Sequence, residues 1–245
     1  MRSMCNHCTL TTICNSMFSR STALLGKESM ALLQSKRVIL FGIGGVGSWC
    51  AECLIRTGLT HLTIVDGDSV QPSNLNRQLP ATQATLGQPK VEALKARLLS
   101  INPEAEIIAR NEMVNGEWLD ANGIEGYDYV IDAIDSVNDK TDLILYASRV
   151  RGCKTFSSMG AALRFDPTQV TTGELMSIKG DALAKAVRAR LKRIGLHPNK
   201  KIRCVYSTEQ AQRCETRGSL MQVTAVFGLT LASLVLSDIT SQAKL

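Results

Sequence analysis

Short apolar runs alternate along the chain with longer segments whose apolar positions recur every three or four residues, and polar or glycine-rich turns separate them. Val38 to Phe41 is β-branched and aromatic and ends on glycine, the pattern of a buried strand. Ser48 to Thr57 continues as a helix, and Leu62 to Val65 forms a second strand that ends on Asp66. Lys90 to Ile101 carries Val91, Leu94, Leu98 and Ile101 on one side of an amphipathic helix, which Asn102-Pro103 ends. Ala105 to Ala109 reads as a strand, and Asn111 to Gly126 as a loop with a short helix. A strand from Tyr127 carries carboxylates at its C-terminal end, a helix spans Asn138 to Arg151, and Cys153 to Ser157 is the next strand. This alternation predicts an α/β fold with a mostly parallel sheet flanked by helices. Ser219 to Ile239 is a long apolar helix, uncharged as far as Ser237 and near the minimum length for a membrane span. Gln222, Thr224, Gly228, Thr230 and Ser233 interrupt it, so a buried helix is expected and a membrane is not.

Composition narrows this picture. A chain of 245 residues, 44% hydrophobic and 20% charged, suits one large soluble domain with a sizeable core. A net charge of +6 permits a nucleic-acid partner. The charge is concentrated between Lys179 and Arg203, where Asp181 is the lone acid. Lys185, Arg188, Arg190, Lys192 and Arg193 fall in one predicted helix, Asp181 to Ile194, and Lys200, Lys201 and Arg203 follow it. Most charge runs are solvated helix faces. The same-sign excess here makes Arg188, Arg190, Lys192, Arg193, Lys200 and Lys201 candidates for a phosphate backbone. Aromatic residues are scarce, so a stacking platform is not expected to dominate. The eight cysteines show no paired spacing of a secreted, disulfide-framework kind, which points to a reduced, cytoplasmic compartment. Cys50 and Cys53 read as small packing residues. Residues 1–16 carry Cys5, His7, Cys8 and Cys14 without a matching second cluster, so a disordered extension is expected rather than a metal site. That segment lacks the apolar core of a signal peptide, and Met17 is a candidate start.

The chemistry concentrates after the first strand. Gly42, Gly44 and Gly47 have G-x-G-x-x-G spacing between a strand and a helix, the context in which a backbone turn approaches a phosphate. Asp66 ends the next strand, where a carboxylate accepts ribose hydroxyls. These features alone suit a nicotinamide dehydrogenase equally well. The loop Asn74-Leu75-Asn76-Arg77-Gln78 adds a guanidinium. Pro89 is suited to the first helical position, with Lys90 in the first turn, where the helix dipole disfavours a cation unless an anion offsets it. Arg77 and Lys90 therefore read as clamps for a triphosphate. Asp135, beside Ser136 at a strand end, is a candidate magnesium ligand.

The strings FSRSTALLGKE, VILFGIGGVGSW, VDGDSVQPSNLNRQ, LGQPKVEALKARL, INPEAEI, DYVIDAIDSVNDK, GAALRFDPTQV and VYSTEQ carry a resemblance to the ThiF/MoeB/HesA adenylating family, relatives of ubiquitin-activating enzymes. It runs from about Phe18 to the C-terminus. DAIDSV with its following lysine, the DPT loop and VYSTE look most like the tRNA threonylcarbamoyladenosine dehydratase branch. The resemblance implies a Rossmann-like adenylation fold over residues 17–245, with C-terminal strands and the apolar helix. It also implies ATP and magnesium as cofactors, adenylation of a carboxylate, a tRNA substrate and a homodimer. By position, it implies that Gly44 and Gly45 lie against the nucleotide, with Asp66 on ribose. Asn74 and Arg77 would lie on the phosphates, with Asn76 and Ser136 beside them, and Lys90 on the triphosphate. Asp135 would hold magnesium. Arg20 corresponds to an arginine that reaches the neighbouring subunit's ATP.

Some relatives have a sulfur-acceptor protein as partner. A ThiF/MoeB-type enzyme activating a ubiquitin-like sulfur carrier is the alternative reading. Many such relatives bind zinc through two CxxC pairs, and the C-terminal half here has no such pair, so structural zinc is not expected. Residues 160–168 are expected to form a loop on the substrate side, and Cys204 and Cys214 to be structural.

Overall fold

The computed structural model describes residues 17–216 and 218–243. Residues 1–16, with Cys5, His7, Cys8 and Cys14, lie outside the described residues. Its strands are β1 (Arg37–Phe41), β2 (His61–Val65), β3 (Glu106–Arg110), β4 (Tyr129–Asp132), β5 (Lys154–Ser158), β6 (Val170–Glu174) and β7 (Arg203–Ser207). They form one seven-stranded sheet in the order β3-β2-β1-β4-β5-β7-β6. Every neighbouring pair is parallel except β6–β7. The chain order reverses beside β1, which lies between β2 and β4. A crevice opens at such a reversal, outside the carboxyl ends of the strands.

The eight helices among the described residues are α1 (Ser19–Leu25), α2 (Lys27–Ser35), α3 (Gly47–Thr57), α4 (Lys90–Ile101), α5 (Gly116–Asn122), α6 (Val137–Arg149), α7 (Ala182–Ile194) and α8 (Met221–Gln242). The apolar run of β1 is buried on both sides, as parallel strands require. Val38 and Leu40 pack with α3, α4 and α8, whereas Ile39 and Phe41 pack with α5 and α6. A third cluster holds α7 against α6 through Val187, Leu191 and Ile144.

Strands β6 and β7 and helices α1 and α2 are elements that periodicity did not announce, and β6 shows why. Its residues are all half-buried and include Gly173, so it lacks a strand's alternation; antiparallel pairing with β7 specifies it. Pro89 stands at the cap rather than in the first helical position, and Lys90 opens α4.

Helix α8 is long and apolar enough to cross a membrane by length and composition, and half of its apolar window is buried within the protein. Val223, Phe227, Leu231, Val235 and Ile239 enter the main core. Gly228 is why it lies so close to α3: a Cβ there would sit 2.3 Å from the Val46 carbonyl oxygen and 2.9 Å from the Cys50 nitrogen. Helix propensity alone favours Gly228→Ala by about 1 kcal/mol. The backbone collision opposes it, and overpacking of this kind costs about 1–3 kcal/mol. Gly228→Ala is therefore expected to lower the urea midpoint at unchanged slope; an equal or higher midpoint would show that the helices are not in backbone contact.

Candidate active site

A cavity of about 320 Å³ occupies the crevice at the carboxyl ends of β1, β2, β4 and β5. Its floor is the turn after β1. Gly42 has φ +87°, and a Cβ there would meet the Ala133 carbonyl carbon and oxygen at 2.8 Å. Only glycine lets the ends of β1 and β4 pass so closely. Gly44 and Gly45 face the cavity, and a Cβ on Gly45 would press on the Arg77 stem and Thr224 Oγ1 at 3.2 Å. Gly47 does not line it. Its missing Cβ makes room for the Gly42 carbonyl oxygen, which would otherwise lie 1.9 Å away.

Asp66 stands at the end of β2. Its carboxylate accepts from the Ile43 nitrogen at 2.6 Å and the Asp68 nitrogen at 2.8 Å, bracing the glycine turn. Burial raises its pKa above the usual carboxylate value despite these donors and the Lys90 charge. Lys90 lines the cavity wall, and its Nζ lies 2.6 Å from Asp68 Oδ2. The dipole conflict at the start of α4 is thus relieved inside the chain by Asp68, a residue the sequence reading passed over. Arg77 Nη1 donates to the Ser73 carbonyl and Asn76 Oδ1, both at 2.9 Å. Among the described residues no carboxylate pairs with Arg77, so its charge is available to an anion.

The rest of the polar loop has a different use. Asn74 is buried and accepts from the Gln71 nitrogen at 3.0 Å, closing a 3₁₀ turn. Asn76 donates to the Ser219 carbonyl at 2.9 Å, joining the loop to the segment before α8. Neither lines the cavity, contrary to the expected phosphate contacts. Gln78, not singled out from the sequence, does line it, and its buried Oε1 has no hydrogen-bond partner. An orphaned buried acceptor on a cavity wall suits a ligand donor. Glu112, Met113 and Val114 complete the β3 side; nothing in their pattern distinguishes them from an ordinary loop.

Asp135, Ser136 and Asp139 line the opposite wall, at the start of α6. Among the described residues, neither Asp135 nor Asp139 has a hydrogen-bond or ion-pair partner for its carboxylate, and no group of three or more His, Cys, Asp or Glu is poised to hold a metal. Two free carboxylates facing this cavity fit magnesium, which takes one or two protein ligands and completes its shell with phosphates and water.

Behind this wall lies a dry charge pair. Lys140 and Asp132 are both 0% exposed, with Nζ 2.6 Å from Oδ2. Lys140 also donates to the Ser158 carbonyl at 2.9 Å and Ser157 Oγ at 3.2 Å, while Asp132 Oδ1 accepts from the Ile134 nitrogen at 3.0 Å. The Asp135 loop and the loop after β5 therefore share one anchor. Met159 to Ala162 of that second loop line the cavity, and residues 163–168 do not.

The basic segment lies partly elsewhere. Asp181 caps α7 and accepts from the Gly160 nitrogen at 3.2 Å, so the helix begins beside the cavity and runs away from it. Lys192 is about 16 Å further along. Arg188 donates to the Leu175 carbonyl, Arg190 pairs with Asp142, and Lys200 donates to the Val150 and Cys153 carbonyls. These three have internal work. Lys185, Lys192, Arg193 and Lys201 are exposed, with no partner for their side-chain charges among the described residues. Arg20 is exposed on α1 and does not line this chain's cavity. Burial raises the thiols of Cys50, Cys53 and Cys204, and lifts Cys153 to about 11, so none of these is primed as a thiolate nucleophile.

Residues 18–244 match the ThiF family. A tRNA threonylcarbamoyladenosine dehydratase of Bacillus subtilis is 40% identical over 192 residues, which cover 78% of this chain and 74% of that one. The crystal structure of the Escherichia coli tRNA N6-threonylcarbamoyladenosine dehydratase in complex with ATP superposes with a TM-score of 0.88 at 35% identity, covering 94% of this chain and 96% of that chain. A molybdopterin-synthase adenylyltransferase of Salmonella typhimurium is 34% identical over a shorter 142 residues, 57% of this chain and 54% of its own. Matched along nearly its whole length, the chain belongs to the ThiF family.

Proposed function

We propose that this protein is an ATP-dependent dehydratase that adenylates the threonyl carboxylate of N6-threonylcarbamoyladenosine in tRNA and closes it into a ring. The observation that carries this reading is the match to the E. coli dehydratase crystallised with ATP, which covers 94% of this chain. A sulfur-carrier adenylyltransferase would share the first chemical step, but the match to that class stops at 57% of the chain.

ATP would lie with its phosphates over the Gly42–Gly45 turn and its ribose toward Asp66. Gln78 Oε1 offers an acceptor for a ribose or adenine donor. Arg77, unpaired, and Lys90, held ready by Asp68, face the phosphates. Asp135 and Asp139 would hold magnesium, which neutralises phosphate charge when bound. A carboxylate oxygen of the substrate attacks the α-phosphorus, and pyrophosphate leaves. Arg77 and Lys90 stabilise the charge that builds on the departing oxygens, where preorganised cations act most strongly. The ureido group of the same molecule then attacks the activated carbonyl, AMP departs with the original carboxylate oxygen, and a proton is released. Proximity within one molecule accelerates this closure without a protein nucleophile. Arg20 would complete a neighbouring subunit's site in a homodimer, and the reaction belongs in the cytoplasm, where its tRNA is found.

Incubating tRNA that carries the linear modification with this protein, ATP and magnesium should remove one water from the modified nucleoside, read by mass spectrometry, with AMP formed in step. Asp135→Ala should lower that turnover by about 10²-fold or more at an unchanged melting temperature; full turnover by the variant would remove Asp135 from the site. ATP consumption with no change in nucleoside mass would refute the dehydratase reading.

Reversing the exposed set Lys185, Lys192, Arg193 and Lys201 to glutamate should weaken tRNA binding and flatten its salt dependence while ATP affinity stays the same. Arg188 and Arg190 are left out because their internal contacts would confound the result. Unchanged tRNA affinity would return α7 to the status of a solvated helix.

A further inference from the structure

The loop after β5 does more than line the cavity. Its residues turn alternately inward and outward under unusually tight control. Leu163 has φ +63°, the only positive value at a non-glycine among the described residues. Its nitrogen donates to the Gly218 carbonyl and its carbonyl accepts from Gln212, each at 2.8–2.9 Å. Arg164 then turns inward. It is 3% exposed, and its guanidinium lies 3.1 Å from the buried Asp181 carboxylate, with Nε donating to the Glu209 carbonyl at 3.2 Å. Phe165 turns outward and is 58% exposed. Its nitrogen is 3.1 Å from both Glu209 carboxylate oxygens, and the Asp166 nitrogen is 3.0 Å from one of them.

A single exposed apolar side chain is ordinary. A left-handed leucine, a buried ion pair and a carboxylate on two successive nitrogens, all in the short loop that carries it, are not. Backbone strain of this kind persists where the surroundings over-determine it, and it concentrates at functional sites. Phe165 belongs to none of the core clusters among the described residues. Phe165 does not itself line the cavity but follows the stretch that does. Ala162, three residues earlier, lines the cavity, as does Ser219, next to the Gly218 that Leu163 bonds. Three residues of chain reach at most about 10 Å.

We infer that Phe165 is a base-contacting residue: its ring takes the face of an unstacked nucleobase of the RNA substrate at the cavity mouth. This rests on the dehydratase reading above. In that reaction the threonyl carboxylate must enter a cavity already filled by ATP, while the purine that carries it is several bonds behind and stays at the rim. A purine drawn out of its stack loses its neighbours, and an aromatic side chain replaces them. The ring therefore sets which nucleotide is presented, without touching the reacting atoms.

The test is binding, by fluorescence anisotropy, of a labelled anticodon stem-loop carrying the linear modification, in the presence of a non-hydrolysable ATP analogue. Phe165→Ala should raise Kd roughly 5- to 150-fold, the range for loss of one base–aromatic stack, and Phe165→Trp should hold it within about twofold. The affinity for the ATP analogue alone should be the same in all three proteins, and so should the oligomeric state by light scattering. A Phe165→Ala Kd within about twofold of wild type overturns the inference. So does a loss of affinity that accompanies a change of oligomeric state, since the ring would then be covered by a second copy. Turnover is scored separately: RNA bound through Phe165 with no loss of water would sink the dehydratase reading and leave the contact standing.

Discussion

Lys140 has no exposure to water, and its ammonium joins Asp132 at the end of β4 to the Ser158 carbonyl at the end of β5. Taking such a pair out of water is costly, and it persists only because every remaining donor and acceptor around it is used. The return is positional. Two loops leave the sheet at these strand ends, one bearing Asp135 and the other Met159 to Ala162, and both are fixed to the same charge. Glycine at position 42 then allows β1 and β4 to close to van der Waals limits beside it. Removing either partner would leave an uncompensated buried charge directly beneath the cavity wall.

The charges that face the cavity divide into matched and unmatched groups. Lys90 is matched by Asp68, and behind the lining the buried Arg164 is matched by Asp181. Arg77 on one side and Asp135 and Asp139 on the other have no counter-charge among the described residues. A ligand that brings both a polyanion and a divalent cation satisfies all three, which is the composition of a magnesium–nucleotide complex. The same division applies to α7. Arg188 and Arg190 serve the fold, and the cations left free run from the cavity rim toward the opposite end of the sheet.

The parallel core was legible because its strands are continuous apolar runs and its helices keep a clean period; β1, α4 and α8 stand where the pattern put them, within three residues at their ends. Gly42, Gly44, Asp66, Arg77, Lys90, Asp135 and Ser136 were legible because glycines and charged or polar residues stand there at fixed offsets from strand ends, and all of them face one cavity, whereas Gly47 does not. What escaped was set by partners distant in sequence. Asn74 looks like a ligand residue until its bond to Gln71 is seen, and Asp68 looks like a turn residue until Lys90 folds back on it. Gln78, Asp139 and the Glu209 clamp have no local signature. Strand β6 exists only through its pairing with β7.

The central claim is that the substrate carboxylate is activated at the α-phosphorus of ATP. Its most direct test labels both oxygens of the threonyl carboxylate with ¹⁸O in tRNA carrying the linear modification, then follows the label after a single turnover. One ¹⁸O atom is expected in the phosphate of AMP, one in the cyclised nucleoside, and none in pyrophosphate. Label in inorganic phosphate, or cyclised nucleoside accompanied by unlabelled AMP, would contradict the claim.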